Sequence, residues 1–213
     1  MQFIFRNITL IFCLAFCFSL PYKNASGQQW ELHMLNAIHV HRNASLDPTM
    51  HLITESAYPI AIAAPIVQSL IGVLASEPAQ IQFSLQTAGS LLLAAGATYV
   101  FKEAIQRKRP YIEHPQYKPH TWEDSPSFPS GHTSLAFSTA TSLSLEYKKW
   151  YVVVPSFAWA TAVGYSRMHL GEHYPGDVFM GALTGISASM ISYYLNQWLQ
   201  HKWSKPKSNP IVP

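Results

Sequence analysis

An all-α fold, a bundle of five transmembrane helices behind a cleaved signal peptide, is what the sequence predicts, and three observations predict it. Charged residues make up 12% of the 213 residues and hydrophobic ones 48%, whereas a soluble domain carries about 25% charged residues. Five runs hold no Asp, Glu, Lys or Arg: Ser56 to Ser76, Pro78 to Phe101, Thr133 to Leu145, Trp150 to Ser166 and Val178 to Gln200. Lysines gather where five spans would leave their connections on one side.

The N-terminal 27 residues read as a signal peptide. Arg6 is the basic flank, Ile8 to Leu20 the apolar stretch, and Ala25-Ser26-Gly27 the small-residue site, so cleavage is expected before Gln28. Both cysteines, Cys13 and Cys17, lie inside it, so the mature chain would hold no disulfide and no thiol metal site. Residues 28–55 form a polar amphipathic segment with Leu32, Leu35, Ile38 and Leu52 among charges. It is read as helical pieces with a turn near Asp47-Pro48, lying on the membrane or capping the domain.

Residues 56–200 hold the five runs. At about 1.5 Å per residue the first, second and fifth can span a bilayer. The third and fourth are short, and span only if the third helix starts near Ser130 with the reaction site at the interface. With the mature N-terminus outside, the connections Ser76–Gln82 and Glu146–Lys149 fall inside. Lys148, Lys149, Lys202, Lys205 and Lys207 then face the cytoplasm, and Tyr147, Trp150, Tyr151, Trp198 and Trp203 form an aromatic belt. A soluble α-bundle, whose buried helices would also be rich in Ala, Ser, Thr and Gly, is the alternative. Residues 201–213, proline-rich from Ser204 on, read as a flexible tail. The net charge of +3 is scattered rather than striped, which argues against a nucleic-acid partner.

Three blocks carry chemistry. Lys102 and Arg109 are seven apart, placing both on one helix face before Pro110 stops the helix. Arg107 and Lys108 beside them read as solvated or headgroup contacts. Ser127-Phe128-Pro129-Ser130-Gly131-His132 leads into an apolar helix, with Ser130 as N-cap and free N–H groups favouring an anion. In the third block Ser166-Arg167 ends one helix and His173 to Asp177 opens the next. The four-residue spacing lets Asp177 accept a bond from the His173 imidazole, fixing its tautomer and raising the basicity of its other nitrogen. His169 also stands four before His173, but no third metal ligand is spaced nearby. His33, His39, His41, His51, His114 and His120 read as solvated loop residues.

Together the three blocks resemble the signature of the type 2 phosphatidic acid phosphatase (PAP2) superfamily, which includes lipid phosphatases, class A acid phosphatases and vanadium haloperoxidases. Every signature position is filled: Lys102, Arg109 and Pro110; Pro129, Ser130, Gly131 and His132; Ser166, Arg167, His173 and Asp177. The similarity runs from about Tyr58 to Trp198. It implies a helical bundle of the PAP2/haloperoxidase type and a phosphatase acting through a phosphohistidine. His173 would be the nucleophile, Asp177 its orienting partner and His132 the general acid, then base. Lys102, Arg109, Ser130, Gly131 and Arg167 would hold the phosphate. The resemblance implies no metal and no cofactor, and a lipid phosphate mono- or pyrophosphate ester as substrate. The signal peptide and lysine placement add the expectation of a bacterial inner-membrane protein with the site facing the periplasm. A soluble periplasmic acid phosphatase or a phosphotransferase using the same site are the alternatives.

Overall fold

The computed structural model describes residues 25–203, and every regular element among them is helical. Helix α1 is Ala25–Leu35, continued by a π-helical turn Asn36–Val40 and, after a break, a 3-10 turn Ala44–Leu46. Then come α2 (Asp47–Glu55), α3 (Ala57–Leu74), α4 (Pro78–Ile105), the short α5 (Pro110–Glu113), α6 (Gly131–Tyr147), α7 (Trp150–His169) and α8 (Pro175–Trp203). Asp47-Pro48 opens α2 rather than forming a turn, because Pro48 falls in the first helical turn where its missing N–H costs nothing. Residues 1–24, most of the expected signal peptide, and 204–213, most of the expected tail, lie outside the described residues; α8 reaches Trp203.

Five long helices, α3, α4, α6, α7 and α8, run up and down. The third uncharged run does start a helix at Gly131, next to Ser130. α6 sits centrally, packed against α8, α7, α4 and α3. Its inward residues are small. Ala136, Ser138, Thr139, Ala140 and Ser142 are all buried, and Ser138 and Ser142 bond to Ser189 of α8. α8 comes close because Gly181 and Gly185 face α6. A Cβ on Gly181 would stand 2.6 Å from the Ser130 carbonyl oxygen, and one on Gly185 would strike the Ser134 carbonyl. Glycines four apart with hydroxyl bonds across the seam are how helices pack when no apolar gradient drives them together.

The large apolar side chains point the other way. Leu74 is 76% exposed, Leu92 75% and Trp150 77%, while Ser90, Thr87 and Thr133 are fully buried. Such an inverted distribution suits a lipid solvent, not water. Two stretches, Ala44–Leu74 and Pro175–Lys202, are long and apolar enough to cross a membrane. Trp150, Tyr151 and Trp198 are exposed at the end of the bundle where α6 finishes and α7 begins, and Tyr147 there donates to Gln80 Oε1 at 2.9 Å. The three motif blocks lie at the opposite end. The polar segment before residue 56 caps that end: Thr54 accepts a bond from Arg167, and His39 lies under Gly171.

Candidate active site

Helix α4 ends at Ile105, where Gln106 adopts a left-handed conformation, φ 49°. Lys102 and Arg109 therefore do not share a helix face. The chain turns between them, and Pro110 begins α5 instead of stopping α4, as its preset φ allows. The turn throws Arg109 into the interior, 2% exposed, where nearly every donor is used. Its Nε donates to the Ser125 carbonyl at 2.8 Å, Nη1 to the Glu172 carbonyl at 3.2 Å, and Nη2 to Glu123 Oε2 at 2.6 Å and Ser125 Oγ at 3.0 Å. Lys102 reaches the same loop from the helix side, donating to Ser125 Oγ at 3.3 Å and to the Pro126 carbonyl.

Arg167 comes from the last turn of α7. Its Nη2 pairs with Glu123 Oε1 and its Nη1 with Glu172, also donating to Thr54 Oγ1 at 3.1 Å. Its buried Nε has no partner among the described residues. One carboxylate, Glu123, thus bridges two buried guanidinium groups. Burial pushes its pKa up, but the charges of Arg167 and Arg109 outweigh that and hold it at about 2. Burial drives Glu172 upward, against the pull of Arg167.

His173 lies in the loop between α7 and α8 and is 1% exposed. Nε2 stands 3.4 Å from Arg109 Nη1, while Nδ1 faces Asp177 Oδ2 at 3.5 Å and Ser127 Oγ at 3.4 Å. The tautomer that fits carries its proton on Nδ1 and leaves the Nε2 lone pair toward the arginines. Burial pushes this imidazole down most strongly. Asp177 opposes, Arg109 and Arg167 add to it, and the pKa lands near 3, so the ring is neutral at physiological pH.

The Asp177 contact is looser than the four-residue spacing suggests, because other donors hold that carboxylate. Ser127 Oγ and the Tyr174 N–H, at 2.9 Å, both donate to Oδ2, and Arg107 Nη1 donates to Oδ1 at 2.7 Å. Arg107 is therefore no solvated contact. It lies between Asp177 and Glu31, with its Cζ 4.1 Å from the centre of the Tyr174 ring. Burial works against its charge, but the two carboxylates raise its pKa.

The second block closes the site. The Ser130 N–H donates to the Asp177 carbonyl at 3.0 Å, joining the start of α6 to α8. Ser130 makes no side-chain cap. Its Oγ instead accepts from Thr133 Oγ1 at 2.9 Å. His132, in the first turn of α6, meets the Tyr58 ring edge-on with centroids 4.7 Å apart. Gly131 has only Thr98 and Tyr58 side chains beyond its missing Cβ, at 3.8 and 3.9 Å.

Among the signature residues, Arg109, Arg167, His173 and Asp177 meet directly or through Glu123. Lys102 joins through Ser125, and His132 through Tyr58 and the start of α6. Sequence reasoning missed Glu31, Arg107, Glu123, Ser127 and Glu172. His39 also departs from its expected solvated state. It is 2% exposed, and its Nδ1 lies 2.7 Å from the His169 carbonyl. The Nε2 of His169 bonds Asp47 Oδ1 at 2.9 Å, so that histidine serves the cap. No group of three or more His, Cys, Asp or Glu among the described residues is placed to hold a metal ion.

Buried arginines around an imidazole backed by a carboxylate are groups that could hold a phosphate and attack its phosphorus. The model of the PAP2 superfamily matches residues 83–201, and the chain belongs to that superfamily. It is 34% identical over 68 residues to a lipid A 4'-phosphatase of Bacteroides thetaiotaomicron, covering 32% of this chain and 30% of the relative. It is 28% identical over 173 residues to the undecaprenyl-diphosphatase BcrC of Bacillus subtilis strain 168, covering 78% of this chain and 84% of the relative. The chain spans about a third or less of the length of several curated relatives it matches. Its fold is that of a transmembrane PAP2 type phosphatidylglycerolphosphate phosphatase from Bacillus subtilis. The TM-score is 0.62 at 22% identity, covering 94% of this chain and 98% of that one. The chain's exposed apolar helix faces and two membrane-length stretches fit a membrane protein.

Proposed function

We propose that this protein is a membrane phosphatase that hydrolyses lipid phosphate mono- or pyrophosphate esters at the periplasmic face through a phosphohistidine, without a metal. One observation carries the reading: a buried, neutral His173 directs Nε2 toward Arg109, with Arg167 held beside it by the shared Glu123. The names of the relatives support lipid phosphates as the substrate class.

The Nε2 lone pair of His173 attacks phosphorus while the bond to the leaving oxygen breaks, and that oxygen takes a proton from His132. The ring, now bonded to phosphorus and still protonated at Nδ1, gains positive charge, which Asp177 offsets. Water then attacks phosphorus, giving its proton to His132. The N–P bond breaks, and phosphate leaves. Lys102, Arg109, Arg167, Ser130 and the Gly131 N–H steady the non-bridging oxygens. Four cations (Lys102, Arg107, Arg109, Arg167) face four carboxylates (Glu31, Glu123, Glu172, Asp177). A phosphate dianion therefore gains its attraction by taking the place of Glu123 on the arginines.

The test is phosphate release from a panel of lipid phosphates by detergent-purified protein, with EDTA, with vanadate and with His173→Ala. Turnover that survives EDTA, stops with vanadate and is absent in the variant is expected. Turnover restored to the chelated protein only by Mg²⁺ or Zn²⁺ overturns the metal-free mechanism. Hydrolysis confined to water-soluble esters overturns the lipid substrate.

A further inference from the structure

We propose that Glu31 and Arg107 are positioning residues that tune how strongly Asp177 supports His173, making helix α1 part of the catalytic apparatus. The inference rests on His173 being the nucleophile.

Asp177 is fully buried, and its two oxygens are divided. Oδ1 belongs to Arg107 at 2.7 Å, and Oδ2 takes Ser127, the Tyr174 N–H and the long contact to His173. Alone, the Arg107 charge would draw the carboxylate's negative charge away from the imidazole. It would also stand near the ring as that ring becomes cationic. Glu31 offsets it, accepting from Arg107 Nη2 at 2.6 Å with Oε2. Its other oxygen accepts the Gly176 N–H at 2.9 Å, in the turn of α8 that carries Asp177. A Cβ on Gly176 would collide with that oxygen, so the glycine is what lets Glu31 approach. The result is an alternating chain of Glu31, Arg107, Asp177 and His173. Its charges favour a positive ring in the transition state, although neither outer residue contacts the phosphate.

The test uses the full chain in detergent, with a lipid phosphate substrate and with vanadate as a separate probe of the arginine cradle. Glu31→Gln keeps the hydrogen-bonding shape and removes the charge. It should lower kcat about tenfold while KM and vanadate affinity stay within about twofold, the signature of an interaction made in the transition state. Gly176→Ala, which displaces Glu31 without altering its charge, should do the same. Arg107→Gln should also cost kcat, and adding Glu31→Gln to it should cost little more, because the two act as one unit. Wild-type kcat in both Glu31→Gln and Gly176→Ala overturns the inference while leaving the phosphatase reading intact. Joint loss of kcat, vanadate affinity and melting temperature makes the pair a fold clamp and also overturns it. Retained turnover in His173→Ala would instead remove the reading beneath it.

Discussion

Glu123 holds Arg109 with one carboxylate oxygen, at 2.6 Å, and Arg167 with the other. The two guanidinium groups come from distant parts of the chain, before α5 and at the end of α7. Each brings a charge that burial would otherwise penalise. In the proposed mechanism this internal carboxylate stands where the phosphate oxygens would bind and keeps the arginines paired until substrate arrives.

Removing that charge should strengthen anion binding. Glu123→Gln retains an oxygen acceptor for one arginine but no longer competes with phosphate. Vanadate and product phosphate should inhibit several-fold more tightly, because charge-assisted pairs to the arginines no longer have to be exchanged for those of Glu123, and kcat should fall as product leaves more slowly. Inhibition constants from steady-state assays decide this. Weaker vanadate binding would show that Glu123 acts mainly as a scaffold for the arginines.

The two histidines should separate by leaving group. His173→Ala should lose turnover with every ester. His132→Ala should still form the phosphoenzyme from a nitrophenyl phosphate, whose leaving oxygen needs no proton, and should then hydrolyse it slowly. General acid–base catalysis typically contributes about 10²–10⁴-fold, so the deficit with an alkyl leaving group should fall in that range. Rapid-quench measurement of the burst checks it. Equal loss of the burst in both variants would collapse the two roles into one.

Acid should loosen the site in two stages. His173 is held near pKa 3 against an ordinary 6.5, and Glu123 near 2 against 4.5. Both folded values are depressed, so the unfolded chain binds more protons as pH falls, and stability falls with it. The His173 contribution is complete above about pH 6.5 and lost toward 3. The Glu123 contribution is complete above about 4.5 and lost toward 2. Melting temperature in detergent should decline through both windows. His173→Gln should make the upper decline shallower and Glu123→Gln the lower, each removing one of several buried groups that titrate there. Parallel melting curves for wild type and both variants would contradict this assignment.

The sequence made the helices legible because uncharged runs are a regional signal, spread over many residues. It made several signature residues legible because turn residues frame them, such as Pro129 and Gly131 around Ser130 or Pro175 and Gly176 before Asp177. Glu31, Arg107 and Glu123 have no such frame. Glu31 meets Gly176 across 145 residues of chain, and no local period reports that contact. Arg107 stands in a basic run, Arg107-Lys108-Arg109, whose neighbours suggest solvent. Only the left-handed Gln106, which turns the chain after Ile105, sends it inward. The expected Lys102–Arg109 helix face failed for the same reason. Helical spacing holds only while the helix lasts.

The direction in which the bundle crosses the membrane can be read with cysteines. The motif end and the aromatic end lie at opposite ends of the long helices, so one side holds the Glu123 loop and the other the α3–α4 turn and the end of α8. By the positive-inside rule, Lys148, Lys149 and Lys202 would put the aromatic end on the cytoplasmic side, which is the orientation proposed above. With Cys13 and Cys17 replaced by serine, single cysteines at Asp124, Ser76 and His201, all exposed, report each side. A membrane-impermeant thiol reagent, applied to cells with a permeabilised outer envelope, should label Asp124→Cys alone. Ser76→Cys and His201→Cys should label only after lysis. Labelling of the last two but not the first would turn the phosphate site to the cytoplasm, and the lipid substrate would have to be presented from that leaflet. Equal labelling of all three in a detergent-free soluble fraction would mean that the exposed leucines and isoleucines of α3 and α4 face something other than lipid.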